Sequence, residues 1–146
     1  MPHKETQLSG IIKMKKIEHI GIAVKDIEAS NKVFTTIFGK ENYKAEKVES
    51  EGVVTSFFQI GESKIELVSA TKPDSPIAKY LGKNRESLHH IAFDVEDIEK
   101  EMERLKNEGI RTLNDRPKKG ADNKLICFLH PKDTNGVLIE LCQEIK

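Results

Sequence analysis

Apolar and polar residues alternate from Ile17 to Val24, with Ile20, Ile22 and Val24 on one side and His19, Gly21 and Ala23 on the other. This is the period of a half-buried strand. Asp26 then stands as a helix N-cap. Ile27, Val33, Phe34, Ile37 and Phe38 recur at near-helical spacing, and Gly39 sits where a left-handed residue closes a helix. Val53–Gln59 and Lys64–Ser69 predict a hairpin turning at Gly61-Glu62. Asp74–Gly82 predicts a short helix, with Ser75 as N-cap and Pro76 at the first helical position. A further helix is capped by Asp97, carries Ile98, Met102 and Leu105, and stops at Gly109. Ile126–Leu129 and Val137–Cys142 predict a second hairpin, turning through Pro131–Gly136.

The chain repeats itself. His19-Ile-Gly-Ile-Ala-Val-Lys-Asp-Ile-Glu28 aligns with His90-Ile-Ala-Phe-Asp-Val-Glu-Asp-Ile-Glu99 at an offset of 71 residues, and Ile65-Glu66-Leu67 aligns with Ile139-Glu140-Leu141 at an offset of 74. The difference fits in the longer turn of the second hairpin. The expected architecture is α+β: two tandem βαβββ modules forming a curved, barrel-like mixed sheet with its helices outside. The modules, at about 15–72 and 86–146, are joined by the short helix into one domain over 15–146. Residues 1–14 are expected to be a disordered extension. Met1–Lys13 lack the apolar stretch of a signal peptide, and His3 is set aside with them.

Parity places polar residues opposite the helix-facing apolar set. His19 and His90 oppose Ile20/Ile22 and Ile91/Phe93; Glu66 and Glu140 oppose their flanking Ile and Leu. A single histidine or glutamate in a strand is usually a structural or solvated residue. Four at repeat-equivalent positions, facing one hollow, predict a bound cation, because buried carboxylates without a partner are costly. Two imidazoles and two carboxylates suit Co, Ni, Zn, Mn or Fe as divalent ions rather than an all-oxygen calcium cage. By the same parity His89 points away from the cluster. His130 falls at a hairpin corner, and Cys142, on the Glu140 side, is expected to be a packed thiol.

Composition narrows the class. Among 146 residues, 24 Lys+Arg balance 24 Asp+Glu, which lacks the basic excess of a nucleic-acid binder. No apolar run approaches the ~18 residues of a membrane span. Two cysteines, Cys127 and Cys142, do not make a disulfide framework and are read as reduced thiols of a cytoplasmic protein.

At these residues the chain resembles the vicinal oxygen chelate (glyoxalase/bleomycin resistance) superfamily, whose paired βαβββ modules enclose a metal. Within it the likeness is to the epimerases of methylmalonyl-CoA, over Lys15 to Gln143. The phrases that carry it are His19-Ile-Gly-Ile-Ala-Val, Asp74-Ser75-Pro76-Ile77-Ala78, Leu88-His89-His90-Ile91-Ala92-Phe93 and Phe128-Leu129-His130-Pro131-Lys132-Asp133 with Gly136-Val137-Leu138-Ile139-Glu140-Leu141. The resemblance implies metal ligands at His19, Glu66, His90 and Glu140, an acyl-CoA thioester substrate and a homodimer. It also implies that Glu140 is a catalytic base that removes the proton alpha to the thioester. Some epimerases carry a second Glu after Gly-Val-Val. Here Thr55 follows Gly52-Val53-Val54 and cannot be a base, which leaves Glu66, related to Glu140 by the repeat, as the second catalytic candidate. The same quartet resembles that of glyoxalase I (lactoylglutathione lyase), an alternative activity. A non-catalytic binder of the same fold would not need the quartet. Lys118, Lys119 and Lys124 are candidates for meeting the phosphates of CoA.

Overall fold

The computed structural model describes residues 14–146. The predicted extension over Met1–Lys13, with His3, lies outside the described residues; Met14 already belongs to the first strand.

The first module runs β1 (Met14–Ala23), α1 (Ile27–Phe38), β2 (Lys44–Val48), β3 (Val53–Ile60) and β4 (Ser63–Ala70). After the linking helix α2 (Pro76–Lys83), the second runs β5 (Ser87–Val95), α3 (Ile98–Asn107), β6 (Lys118–Lys119), β7 (Lys124–Phe128) and β8 (Ile139–Glu144). The caps are those the sequence predicts. Asp26 accepts from Ala29 N at 3.0 Å, Asp97 from Lys100 N at 3.1 Å and Ser75 from Ala78 N at 3.1 Å. Gly39 ends α1 at φ 70°, a conformation without penalty for glycine.

All eight strands form one curled mixed sheet in the order β2-β3-β4-β1-β5-β8-β7-β6. β1 and β5, the opening strands of the two modules, pair antiparallel at its centre. Each runs parallel to the closing strand of its own module, β1 to β4 and β5 to β8.

Helices α1 and α3 cover the outer face, while α2 packs with Ile77 against Ala23, Val53 and Val68 at the cavity. Under α1, Val24, Phe58 and Leu67 form a core with Ile27, Phe34 and Phe38. Val33 and Ile37, predicted in the same stripe, are exposed. They precede Phe34 and Phe38 by one residue, a rotation of about 100° away from the sheet. Under α3 the equivalent core gathers Val95, Ile98, Met102, Cys127, Leu129 and Leu141.

Three register shifts interrupt the central pair, one at Lys15 near the start of β1 and two beside the cluster histidines. Ile17 faces Phe93 while His19 faces Ala92, so Glu18 is an extra residue on β1; Gly21 faces His90 while Ile22 faces Leu88, so His89 is an extra residue on β5. The parity rule therefore fails at His89, whose side chain lines the concave face beside His90. Gly21 lies under the His90 ring, where any Cβ would clash with it.

Burial raises the Cys127 thiol to about 11, and raises that of Cys142 with help from the nearby Glu140 and Glu18 carboxylates. Neither thiol should react with iodoacetamide at pH 8 until the chain is unfolded, as mass spectrometry would read. Leu141, fully buried, should cost about 2–5 kcal/mol on conversion to Ala, measured by urea unfolding.

Candidate active site and metal centre

His19 on β1, Glu66 on β4, His90 on β5 and Glu140 on β8 converge on the concave face, each only 5 or 6 % exposed. His19 Nε2 lies 3.1 Å from His90 Nε2, 3.2 Å from Glu66 Oε1 and 3.6 Å from Glu140 Oε1. His90 Nε2 lies 3.2 Å from Glu66 Oε1 and 3.3 Å from Glu140 Oε1. His19, His90 and Glu140 form a group whose ligand atoms lie within 4.8 Å of one another, and Glu66 Oε1 lies 3.2 Å from both imidazoles. Donors bound to a first-row ion at about 2.0–2.2 Å stand about 3 Å apart when their bonds are at right angles. The spacing, the mixed N/O chemistry and the two negative charges fit a divalent cation. Burial opposes charge on His19, but the Glu140 and Glu66 carboxylates prevail and raise its pKa well above the usual histidine value. Burial likewise works against the Glu66 carboxylate, and the adjacent His19 and His90 hold its pKa below the usual range.

Behind the cluster lies a second layer that strict alternation does not predict. Glu18 Oε1 accepts from His19 Nδ1 at 2.7 Å, and Glu18 Oε2 accepts from Lys64 Nζ at 2.7 Å. Burial disfavours the Glu18 carboxylate, yet these two partners hold its pKa at about 2. On the other flank His89 Nδ1 is 2.9 Å from His90 Nδ1. Burial, reinforced by His90, lowers the His89 pKa to about 4. The side chains of Glu18 and His89 reach these places because of the bulges, which strict alternation conceals. An acidic residue directly before His19 was the available signal.

The quartet forms the floor of a cavity of about 300 Å³, a size at the small end of ligand pockets. Its walls are largely apolar, with Val53, Phe57, Val68, Ile77, Ile126 and Phe128. Thr55 lines it as well, its hydroxyl donating to Glu46 O at 3.3 Å. The β6–β7 turn of the second module reaches over to the first. There Asp122 accepts from Tyr43 Oη at 2.9 Å, Lys44 Nζ at 3.2 Å and Lys64 Nζ at 2.8 Å, and Lys118 pairs with Glu51 at 2.6 Å.

The other candidates lie elsewhere. His130 caps a 3-10 turn, Nδ1 accepting from Lys132 N at 3.2 Å. Cys142 is buried, with Sγ donating to Phe93 O at 3.5 Å, and it sits within ligand range of Glu18 and His19 behind the quartet. Lys124 is buried 3.9 Å from Glu18, and Lys119 is exposed on β6.

Known proteins share this fold and sequence. The model of the glyoxalase/bleomycin resistance protein/dioxygenase superfamily matches residues 18–128. The ethylmalonyl-CoA/methylmalonyl-CoA epimerase of Cereibacter sphaeroides is 41 % identical over 88 % of this chain and 97 % of its own. The mitochondrial methylmalonyl-CoA epimerase of Homo sapiens is 37 % identical over 94 % of this chain and 79 % of its own. A single-residue variant of the methylmalonyl-CoA epimerase of Streptomyces coelicolor, solved in complex with 2-nitronate-propionyl-CoA, superposes with a TM-score of 0.88 at 36 % identity, covering 91 % of this chain and 99 % of that one. With fold, module order and sequence in agreement along nearly the whole chain, the protein belongs to the glyoxalase/bleomycin resistance protein/dioxygenase superfamily and, within it, to the family of the methylmalonyl-CoA epimerases.

Proposed function

We propose that the chain interconverts the 2R and 2S forms of methylmalonyl-CoA, with His19, Glu66, His90 and Glu140 holding a divalent first-row metal ion. The observation that carries this reading is the convergence of the four donors in a small apolar-walled cavity, in a chain matched along most of its length by epimerases. Glyoxalase I chemistry fits the quartet alone, but the named relatives favour the epimerase. No helix among the described residues is long and apolar enough to cross a membrane. The proposal extends to a homodimeric, cytoplasmic enzyme.

A bound divalent ion would supply Lewis acidity, which stabilises negative charge on the thioester oxygen as the alpha proton leaves. The cavity takes the acyl end, and its apolar walls exclude water and strengthen every electrostatic contact within. Inverting the alpha carbon requires an acid–base group on each side of it. In this reading Glu140 and Glu66 fill those roles. They project from β8 and β4, the strands that flank the central β1–β5 pair on opposite sides. Thr55, whose hydroxyl is engaged with the Glu46 carbonyl, orients neighbouring backbone rather than moving protons.

The exchange of the substrate alpha hydrogen with solvent deuterium, followed by mass spectrometry, tests this. Exchange should be present in the metal-loaded protein and lost on chelation. It should fall by about 10²–10⁴-fold in Glu140→Gln. Exchange persisting at the original rate in metal-free protein would refute the reading. Gly21→Ala should push the His90 ring out of the cluster and weaken Co(II) binding by about tenfold or more while the chain still folds, as titration calorimetry and circular dichroism would read.

A further inference from the structure

Two of the three β-bulges on the central strands set a polar side chain directly behind a cluster histidine. Glu18 and His89 are repeat-equivalent, 71 residues apart, and each is the extra residue of its bulge. Regular alternation would turn both toward the outer face; the bulges return them to the concave side, against the ring that each precedes. Glu18 Oε1 is 2.7 Å from His19 Nδ1, and its other oxygen is anchored 2.7 Å from Lys64 Nζ. His89 Nδ1 is 2.9 Å from His90 Nδ1, and its ring stands edge-on to Tyr80 with centroids 4.8 Å apart.

We propose that Glu18 and His89 are a matched pair of positioning residues, which hold His19 and His90 in the tautomer and orientation that turn both Nε2 lone pairs to the metal. This rests on the metal centre proposed above. An imidazole ligates through Nε2 only when its proton sits on Nδ1, and an acceptor at Nδ1 selects that form. The Glu18 carboxylate only accepts, so His19 Nδ1 must donate to it. Two Nδ1 atoms facing each other share one proton between them. With His90 as the donor, His89 accepts and carries its own proton on Nε2. The two modules thus keep one device with different chemistry: a charged acceptor behind one ligand and a neutral acceptor behind the other. The charged acceptor makes His19 the more basic donor of the pair.

Titration of the metal-free protein with Co(II) tests this, reading both the dissociation constant and the visible ligand-field bands. Wild type is compared with Glu18→Ala, Glu18→Gln, His89→Ala and His89→Gln, and thermal melts of the metal-free forms check folding. Each Ala variant should bind Co(II) about 10–100-fold more weakly, with altered bands. Each Gln variant, which restores an acceptor, should recover most of the affinity and the wild-type band shape. A merely structural role would lower the melting temperature and leave the bands of the folded variant unchanged. Wild-type constants and bands in both Ala variants would overturn the positioning role and leave the metal centre standing. Failure of wild type to bind Co(II) would overturn both. Where an Ala variant does not fold, nuclear magnetic resonance of Zn(II)-loaded wild type decides. Slowly exchanging, downfield Nδ1–H signals from His19 and His90 are expected, and Nδ1–H protons in free exchange with solvent would overturn the inference.

Discussion

Two carboxylates gathered against two touching imidazoles, all nearly shut off from water, are the constraint on which this molecule is organised. Isolated charges in such a place are expensive, and Glu66 and Glu140 are tolerable only where positive charge meets them. The structure answers that demand with a fixed point between four strands rather than with a flexible loop. Donors on paired strands move together, so the spacing of a few ångströms between Nε2 and Oε1 atoms is set by sheet register. The glycine under the His90 ring belongs to the same constraint, since a methyl group there would occupy the space of the imidazole.

Duplication explains where that point lies. Each module contributes one His from its opening strand and one Glu from its closing strand, and the two opening strands pair at the centre of the sheet. Neither module alone can surround a cation with these donors. The junction is further tied by Asp122, which reaches from the second module to Tyr43, Lys44 and Lys64 of the first. Lys64 also holds Glu18, so a continuous run of charge-assisted bonds links the turn over the cavity to a cluster histidine. Such partners explain how carboxylates remain ionised in a mostly apolar setting.

The cavity assigns the polar and apolar tasks to separate surfaces. Its floor carries the quartet, and its walls carry Val, Ile and Phe side chains that exclude water without competing as donors. Phe57 and Phe128 stand edge-on to His19 and His90, with centroids 6.4 and 6.0 Å apart, confining the rings on their outer sides. Thr55 adds a hydroxyl already engaged with backbone.

Local sequence determined a great deal here. Period-two alternation, Asp and Ser caps, a glycine stop and the internal repeat specify most of the elements, their order and the four side chains that converge, because each depends on near neighbours or on copied segments. The edge strands β2 and β6 carry no such pattern. The rest is decided by contacts between strands far apart in the chain. Alternation assumes an unbroken ladder, and the ladder between β1 and β5 breaks at Glu18 and His89 only once those strands pair. The same holds for Val33 and Ile37: apolar on paper, they are left in solvent because the angle at which α1 meets the sheet favours Phe34 and Phe38. The clasp of Asp122 on Tyr43, Lys44 and Lys64 spans 58 to 79 residues and had no pattern to announce it. Register and helix docking are properties of the assembled sheet, and they set what stands behind the donors.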